Sequence, residues 1–433
     1  MAAKVLTRQN GVLTILACLA VWAVTSTTMS AQLVIVRPPR IDPETFVSIT
    51  AGDEHTCARK ANGNIYCWGH NDYGQLGTGG GDSDRMAFVM AGYQVEAGAT
   101  HTCAINFGSG ALCWGSNLRG ELGANASLAV GYDRWFTPVA VDGGMTFYSI
   151  GAGRWSSCGT TSTGVFCWGD IMTTTLTGGT STPRRVDSYT GYSNISVGYQ
   201  HACATYTWNG SKIPACWIKP RTPVTNIPTN LSGTWGQSAL DPNLAYLVNS
   251  DAKFLVGPAS TLFGWNASRV ATQRDFTCVD QANGTVQCVG ENTDGQLGAG
   301  TFGVPPDKFT PKTVDTSALT ASGTLQGTLH GVSTGVRHAC AIDDAGQAYC
   351  WGDGGNGKLG RGIGITSDSA VPQLVAGGLS FRAIAAGGEH TCAIATNNQI
   401  FCWGDNSFGQ IGLGDSRRVG TDQHQPFILD YVR

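Results

Sequence analysis

Cysteines offer the most conspicuous chemistry in this sequence. Fourteen of the fifteen form seven pairs, and the members of five pairs are ten residues apart. Zinc ligands usually sit two to four residues apart, whereas directly opposed residues of a β-hairpin bring their Cα atoms to roughly 4.5–5.5 Å, within reach of a disulfide. The spacing therefore predicts seven disulfides: Cys57 with Cys67, Cys103 with Cys113, Cys158 with Cys167, Cys203 with Cys216, Cys278 with Cys288, Cys340 with Cys350 and Cys392 with Cys402.

Histidines recur two positions before the first cysteine of five pairs. Five imidazoles around one axis could bind a metal or sense pH. However, Phe276 takes the same position before Cys278, and Trp155 or Ser156 takes it before Cys158, so neither a charge nor a ligand is required there. We predict no metal and no cofactor, and instead packed side chains, each hydrogen-bonded to a neighbouring repeat: His55, His101, His201, His338 and His390.

A tryptophan directly follows the second cysteine in six units. An aromatic residue at one fixed position of each repeat is typical of core packing rather than of a platform for sugars or bases. No acid–base pair and no Ser/His/Asp arrangement can be assembled, and glycine-rich segments such as residues 79–81 lack the Lys-Ser/Thr of a phosphate cradle. We expect no enzymatic activity, and a packing role for Trp68, Trp114, Trp168, Trp217, Trp351 and Trp403.

Short strands must position these residues. Each unit contains an apolar stretch ending in Ala-Gly, then two cysteine-bearing runs around a turn, centred on Asn62 in the first copy. This pattern predicts a β-hairpin, and its recurrence at roughly 45–60 residues is typical of a propeller or array. A Pro-to-Val strand precedes most hairpins, for example at residues 183–186, and we predict that it forms the outer strand of the hairpin that follows it. Gly-Gln-Leu-Gly segments recur at residues 74–77, 120–123, 295–298, 357–360 and 409–412.

The motifs Ala-Gly-x-x-His-Thr-Cys-Ala, Cys-Trp-Gly and Gly-Gln-Leu-Gly together resemble the repeats of the regulator-of-chromosome-condensation family, over nearly all of residues 45–430. The resemblance implies an all-β fold, a β-propeller, here with seven disulfide-stapled blades. The superfamily includes secreted propellers that inhibit β-lactamases and the extracellular repeats of some plant receptor kinases. Its nuclear members act as guanine-nucleotide exchange factors, an activity that does not suit an oxidised, signal-bearing and non-basic chain.

Residues 222–257 are a candidate eighth, degenerate blade. Residues 235–257 follow the spacing of residues 147–169, with Tyr246 and Leu255 in place of the cysteines. The alternative is the family's usual seven blades with an insertion at this place.

Ring closure would remove the exposed strand edges that invite aggregation. The stretch at residues 46–50 has no preceding outer strand. We predict that residues 426–429 supply one and so close the ring.

Residues 1–31 have the features of an export signal. Lys4 and Arg8 precede an uncharged stretch at residues 11–24, which contains the unpaired Cys18, and small residues follow. Disulfides persist only in oxidising compartments. We therefore predict a secreted or cell-surface protein.

The alternative at this end is an uncleaved membrane anchor at residues 9–36, since no charge interrupts a stretch long enough to cross a bilayer. The membrane would then be contacted through the N-terminal segment alone. We expect residues 32–44 to be a linker and residues 45–433 to form the propeller.

Composition limits the partners. Charged residues make up 13% of the chain, about half the typical ~25%, and the net charge is −3. Nucleic-acid binders usually carry a basic stripe, and none is visible, so we expect no nucleic-acid partner. Loops on a rigid scaffold usually carry recognition. We predict a protein partner that binds inter-blade loops, with residues 79–90, 127–136 and 316–329 as candidate contact regions.

The predicted function is therefore that of a non-catalytic, exported or cell-surface scaffold. A structural subunit of a membrane-associated assembly, anchored by residues 9–36, is one alternative. A secreted hydrolase inhibitor similar to the β-lactamase-inhibitor propellers is another. Candidate glycosylation sites, which mark exposed loops where the host glycosylates, are Asn125, Asn194, Asn209, Asn230, Asn266 and Asn283.

Overall fold

The computed structural model describes residues 4–9, 12–17, 42–124, 133–170, 180–199, 201–208, 211–218, 267–303, 310–414 and 423–428. Residues 1–41 and residues 42–433 are separate units. In the first, Lys4–Gln9 and Val12–Ala17 form an antiparallel pair of strands. Among the described residues, no helix is long and apolar enough to cross a bilayer. Most of the predicted signal or anchor lies outside those residues, and its cleavage stays a prediction.

Seven hairpins organise the second unit, and each defines a blade, numbered 1 to 7 in chain order. In every hairpin the two cysteines are direct cross-strand partners. The strands with the first cysteine are His55–Lys60, His101–Asn106, Ser156–Thr161, His201–Trp208, Phe276–Gln281, His338–Ile342 and His390–Ala395. The third strands, with the second cysteine, are Asn64–Gly69, Ala111–Ser116, Gly164–Gly169, Ser211–Ile218, Val286–Gly290, Ala348–Gly352 and Ile400–Gly404.

In the described residues one strand flanks the hairpin on each side in six blades, and blade 4 shows the inner strand and the hairpin. The inner strand precedes the hairpin, and the outer strand follows it; Ser83–Ala97 serves two blades, with residues 83–91 outer in blade 1 and residues 92–97 inner in blade 2. The other inner strands are Phe46–Ala51, Phe147–Ala152, Tyr192–Val197, Ala267–Gln273, His330–Thr334 and Phe381–Ala386. The other outer strands are Arg134–Ala140, Thr180–Asp187, Lys312–Thr313, Ser369–Leu374 and Gln423–Ile428.

The predicted membership of the outer strands is wrong. Thr180–Asp187, which contains a Pro-to-Val segment, pairs with the hairpin that precedes it, through Gly164–Gly169. For the same reason residues 426–429 do not complete the first blade, because Gln423–Ile428 pairs with Ile400–Gly404 of blade 7. Consecutive strands usually pair with each other, and the outer strand follows directly on the third strand of its own blade.

The ring closes by packing blade 7 against blade 1. The Phe46 N–H donates to Asn398 Oδ1 (2.7 Å), and the Arg382 guanidinium donates to the Phe46 carbonyl and to Asn398 Oδ1 (2.9 Å). Since each blade takes its strands from one stretch of chain, closure depends on this side-by-side interface and not on a shared sheet.

The candidate eighth blade, residues 222–257, lies outside the described residues. Blades 4 and 5, which flank it in sequence, contact each other directly. Ser196 Oγ accepts a hydrogen bond from the Thr272 N–H (3.0 Å), and His201 Nε2 lies 2.9 Å from Thr277 Oγ1. Together with the seam between blades 7 and 1, these contacts close a ring of seven blades.

The sulfur atoms of every predicted cysteine pair lie at disulfide distance. The Cα atoms of each pair are 4.0–4.1 Å apart, as expected for directly opposed strand residues. The pairs are Cys57 with Cys67, Cys103 with Cys113, Cys158 with Cys167, Cys203 with Cys216, Cys278 with Cys288, Cys340 with Cys350 and Cys392 with Cys402. None of the seven therefore joins two different blades.

The disulfides lie in apolar cores between blades. Cys57 and Cys67 are fully buried and pack with Leu76, with Val95 of blade 2 and with Trp114 of blade 2. The disulfide between Cys57 and Cys67 therefore links the two middle strands of blade 1 at its interface with blade 2.

Helical structure is scarce. In the described residues the only α-helix is the short Ser317–Ala321, and Gly355–Gly357 is a 3₁₀ turn. The described part of the second unit is therefore nearly all β.

Strand direction gives the ring two faces. The inner and third strands run towards the face that we call upper, where the loops at residues 52–54 and 70–82 of blade 1 lie. Hairpin turns, such as that at Gly63, and the connections from outer strands to the next inner strands lie on the lower face.

Two of the three predicted contact regions meet, and the third lies on the other face. The Gly79 N–H donates to the Phe136 carbonyl (2.9 Å), which brings residues 79–90 and 127–136 into contact. Residues 83–90 are strand rather than loop, residues 127–132 lie outside the described part, and residues 134–136 begin a strand. Residues 316–329 connect an outer strand to an inner strand on the lower face. These regions were predicted because they are long irregular segments, and the length of a segment does not determine the face of the ring on which it lies.

Candidate functional site

The five recurrent histidines couple neighbouring blades. Nε2 of each lies 2.7–2.9 Å from a hydroxyl group in the next blade, on the residue before its first cysteine. In four pairs that hydroxyl donates its proton to a backbone carbonyl, as Thr102 Oγ1 does to Gln75 O (2.8 Å). It must therefore accept from Nε2–H, which fixes the tautomer. The pairs are His55–Thr102, His101–Ser157, His201–Thr277, His338–Thr391 and His390–Thr56.

Blades 3 and 5 lack the histidine and show what replaces the pair. Ser156 and Phe276 stand in its place, and the residue at the hydroxyl position of the following blade is Ala202 or Ala339. Hydroxyl and histidine are thus present together or absent together at all seven junctions. The predicted hydrogen bonds to neighbouring repeats are confirmed.

The histidines are uncharged at neutral pH. Burial lowers the pKa of His55, His101 and His338 to about 3, and that of His201 and His390 to about 4. Each ring belongs to a separate junction, so the five do not converge on one point. Their role is to join blades.

The tryptophans reinforce the same junctions. Trp114 Nε1 donates to the Gln75 carbonyl (2.9 Å), the atom that also accepts from Thr102. Gly77 has φ +71°, and a Cβ there would lie 2.7 Å from Trp114 Nε1, so the final glycine of Gly-Gln-Leu-Gly is required. Equivalent Nε1 bonds are made by Trp68, Trp168, Trp351 and Trp403, which are fully buried. Core packing of the tryptophans is confirmed for these five, and Trp217 is half-buried.

One copy of the Gly-Gln-Leu-Gly segment carries a lysine instead of glutamine. Lys358 is fully buried, and its ammonium group contacts Asp353 Oδ2 (2.7 Å) and the Glu389 carboxylate. Burial alone would raise the pKa of Asp353. The hydrogen bond from Lys358 outweighs burial and holds this pKa below its usual value. This ion cluster was not predicted from the sequence, although Lys358 is the one cation at a position otherwise held by Gln or Glu.

The inner strands enclose a central cavity of about 520 Å³. Its polar side chains mostly hold neighbouring inner strands together: Thr50 Oγ1 accepts from the Ala97 N–H (3.1 Å), and Ser149 Oγ accepts from the Ile195 N–H (3.2 Å). Glu96 accepts from Gln94 Nε2 (3.0 Å), and burial raises the pKa of Glu96. The wall of the cavity is therefore largely structural.

The loops between inner and second strands form a collar around the upper mouth of this cavity. Main-chain hydrogen bonds join consecutive loops at five junctions, so the collar is a fixed platform. The bonds run from Ala99 N to Gly153 O (3.0 Å), Arg154 N to Gly198 O (3.4 Å), Tyr199 N to Arg274 O (3.2 Å), Val336 N to Gly387 O (3.1 Å) and Gly388 N to Gly52 O (3.0 Å).

Four side chains form what we call the arginine–aromatic cluster at this mouth: Arg119, Arg154, Trp155 and Tyr199. The Arg154 guanidinium carbon lies 4.5 Å from the Tyr199 ring centre and 4.9 Å from that of Trp155, and the Arg119 guanidinium carbon lies 5.4 Å from Trp155. The two rings are tilted, with centres 4.7 Å apart. In the sequence Trp155 is notable only as a replacement for the recurrent histidine, and the cluster was not predicted. Its members come from loops of three blades, which no sequence spacing aligns.

Acidic groups lie beside the cluster. Burial raises the pKa of Asp53 to about 6, with Arg154 acting against it and Glu54 and Glu389 adding to it. The mouth thus carries carboxylates on blades 1 and 7 and arginines on blades 2, 3 and 5.

One group among the described residues has donor atoms close enough to hold a metal ion: His70, Asp72 and Asp82. Both nitrogens of His70 are already engaged, Nδ1 with Glu54 (2.7 Å) and Nε2 with Asp72 (3.2 Å). Burial disfavours the imidazolium, but these carboxylates outweigh it and raise the pKa of His70. The arrangement is an ion-paired histidine.

The lower face carries exposed aromatic side chains. Tyr93 and Phe107 pack edge to face with ring centres 5.0 Å apart, and Tyr148 is 62% exposed. Of the candidate glycosylation sites, Asn283 is exposed at a hairpin turn and Asn194 lines the central cavity. The others lie outside the described residues: Asn125, Asn209, Asn230 and Asn266.

Comparison with known families identifies the repeats. Two models for the regulator of chromosome condensation (RCC1) repeat match residues 46–75, 330–358 and 381–410, and residues 62–105 and 345–394. Residues 46–105 and 330–410 are RCC1 repeats. The matched segments contain four of the five histidines that join the blades: His55, His101, His338 and His390.

Relatives are similar to short parts of this chain. Probable E3 ubiquitin-protein ligase HERC4 of Mus musculus is 36% identical over 104 residues, which cover 24% of this chain and 9% of the relative. The ultraviolet-B receptor UVR8 of Arabidopsis thaliana is 37% identical over 94 residues, 20% of this chain and 21% of the receptor. The chain spans about a tenth of the ligase and about a fifth of the receptor.

Solved RCC1 structures confirm the fold. Yeast RCC1 (Prp20), solved bound to Kap60, aligns with a TM-score of 0.63 and 17% identity over 94% of this chain and 92% of its own. Prp20p from Saccharomyces cerevisiae, which has binding properties towards Gsp1p and histones, gives 0.64 and 18% over 90% and 88%. The expected all-β propeller with seven cysteine-paired blades is confirmed.

Proposed function

We propose that this chain is a non-catalytic propeller that works in an oxidising compartment and binds a protein partner through its upper face. The arginine–aromatic cluster carries this proposal. Trp, Tyr and Arg are the residue types enriched at the energetic centres of protein interfaces. Here they lie together on a collar fixed by main-chain hydrogen bonds.

A rigid collar favours recognition over catalysis. Preorganised loops reduce the ordering cost of association, and loops on a fixed scaffold commonly carry binding sites. The polar groups of the central cavity and of the blade junctions are largely engaged in holding the ring together. The side chains of the arginine–aromatic cluster on the upper rim take no part in these hydrogen bonds.

The oxidising compartment is supported by the seven cysteine pairs, because disulfide frameworks of this density occur in exported proteins. N-terminal sequencing of the mature protein tests the leader. A start near Gln32 supports secretion, whereas retention of residues 9–36 supports the anchored, membrane-associated form.

Affinity purification from the native compartment tests the binding function. We expect the wild-type protein to recover a partner and the Trp155→Ala variant to lose it. The matched control is Tyr148→Ala, which removes an aromatic side chain that is 62% exposed on the lower face. Recovery of no partner by the wild type contradicts the proposal, and loss with Tyr148→Ala alone moves the site to the lower face.

A further inference from the structure

We infer that the arginine–aromatic cluster binds an extended acidic segment of a protein partner, with carboxylates on alternate residues. This inference rests on the proposed function and specifies the chemistry of the partner. It concerns the side chains of Arg119, Arg154, Trp155 and Tyr199 on the upper face.

The cluster offers cationic donors that the fold does not use. Among the described residues, neither the Arg119 nor the Arg154 guanidinium has a hydrogen-bond or ion-pair partner; each packs against an aromatic ring. A guanidinium presents planar, paired N–H donors that match a carboxylate with two parallel bonds. Ring packing holds those donors in place while leaving them accessible.

The spacing of the two arginines suits two carboxylates. The guanidinium carbons of Arg154 and Arg119 lie 4.9 and 5.4 Å from the centre of the Trp155 ring, so they are at most about 10 Å apart. Side chains two residues apart on one face of an extended strand are roughly 7 Å apart. Acidic side chains on alternate residues can therefore reach both arginines while the segment rests on the rings of Trp155 and Tyr199.

The platform beneath the cluster is fixed before the partner arrives. The Arg154 N–H donates to Gly198 O (3.4 Å), and the Tyr199 N–H donates to Arg274 O (3.2 Å), so the loops of blades 3, 4 and 5 are joined at the main chain. Little ordering is then needed on binding.

Charge around the mouth favours spaced carboxylates over a polyphosphate backbone. Burial raises the pKa of the Asp53 carboxyl group; Glu54 and Glu389 lie close enough to raise it further, and Arg154 and Arg274 act against them. A continuous polyanion would meet these carboxylates as well as the arginines. A peptide can place acidic residues at the arginines and neutral ones beside blades 1 and 7.

Fluorescence anisotropy with the mature, oxidised protein tests the inference. The probe is a labelled peptide with glutamate at alternate positions, and its matched control carries glutamine instead. We expect the glutamate peptide to bind, and to bind more weakly as salt rises from about 50 to about 300 mM. Arg154→Gln should weaken binding about tenfold and Arg119→Gln several-fold. The variant control is Arg185→Gln, which changes the net charge equally on the outer strand of blade 3 and should bind as the wild type does.

Several outcomes overturn the inference: equal weakening by Arg185→Gln, equal binding of the glutamine peptide, or tighter binding of a single-stranded oligonucleotide than of the glutamate peptide. If Arg154→Gln lowers the thermal unfolding midpoint, the peptide affinity of the Arg119→Gln variant tests the inference instead, because Arg119 is exposed at a loop tip. The affinity purification separates the two proposals. If the Arg154→Gln variant recovers the partner and the Trp155→Ala variant does not, the proposed binding function stands and the inference of an acidic segment is wrong.

Discussion

His201 and Thr277 are 76 residues apart in sequence, yet His201 Nε2 lies 2.9 Å from Thr277 Oγ1. The pairs at three other junctions, such as His55–Thr102, are 47 to 56 residues apart and have the same geometry. The long interval between blades 4 and 5 therefore adds chain without separating the two blades. The His201–Thr277 pair joins blades 4 and 5 despite the long stretch of chain between them.

The first prediction concerns the His101–Ser157 pair. Ser157→Ala should lower the free energy of unfolding by about 1–3 kcal/mol, because the buried His101 N–H loses its acceptor. The double variant His101→Phe with Ser157→Ala reproduces the natural junction of Phe276 and Ala339 and should recover about 1 kcal/mol of that loss. Urea unfolding of the two single variants and the double variant measures the coupling.

The control for this cycle is Ser188→Ala. Ser188 is exposed, and its truncation should change stability by less than about 0.5 kcal/mol. A coupling energy below about 0.5 kcal/mol between positions 101 and 157 would show that the pair does not join the blades.

The second prediction concerns acid. Unfolded histidines take up protons below about pH 6.5, whereas burial lowers the folded pKa of His101 to about 3. The unfolded state therefore binds more protons as the pH falls, and stability is lost between these values. Each such histidine should lower the free energy of unfolding by about 2 kcal/mol between pH 7 and pH 5.

Urea unfolding at several pH values between 7 and 5 measures this loss. The double variant His101→Phe with Ser157→Ala should show a shallower pH dependence than the wild type. Identical slopes would mean that the folded protein protonates His101 as readily as the unfolded chain does.

The sequence was sufficient to predict the hairpins, the cysteine partners and the packed histidines. These features repeat at fixed spacing, so a period in the sequence maps directly onto a position in the blade. The blade to which each outer strand belongs could not be predicted in the same way. A Pro-to-Val strand lies between two hairpins in sequence, and only the pairing of Thr180–Asp187 with Gly164–Gly169 shows which blade contains it.

The third prediction concerns the disulfides. Thiol alkylation of the denatured, unreduced mature protein should label none of the fourteen paired cysteines, and prior reduction should expose all of them. Replacing Cys340 and Cys350 together by alanine should lower the free energy of unfolding by about 2–3 kcal/mol, as expected for a short closed loop. Labelling of the unreduced protein at these positions would contradict both the linkage and the oxidising compartment.

The fourth prediction concerns Lys358. Lys358→Met should lower stability by about 1–3 kcal/mol at pH 7, because Asp353 and Glu389 lose their cation while Asp353 stays largely buried. Lys358→Gln, which copies the other segments, should be less harmful. Since the pKa of Asp353 is held low, the advantage of Lys358 exists above the unfolded pKa of about 3.9 and disappears as the pH falls through the folded value.

Denaturant unfolding at pH 7 and at pH 3 measures both effects. A difference between Lys358→Met and the wild type that is as large at pH 3 as at pH 7 would assign the loss to packing and not to charge.

The candidate site was the part that the sequence concealed. Arg119, Arg154 and Tyr199 occupy unrelated positions in the repeat pattern, and they meet because three loops end at one mouth. Periodicity predicts what every blade has in common, and a binding surface consists of what single blades do differently.

Contiguous blades make the number of blades evolvable. Each takes its strands from one stretch of chain, so duplicating or losing such a stretch would change the circumference of the ring without re-pairing any strand. The junction then limits the order of the copies: a histidine-bearing blade placed before an alanine-bearing one would bury an N–H with no acceptor. Expansion of this architecture should therefore proceed by copying neighbours together, junction included.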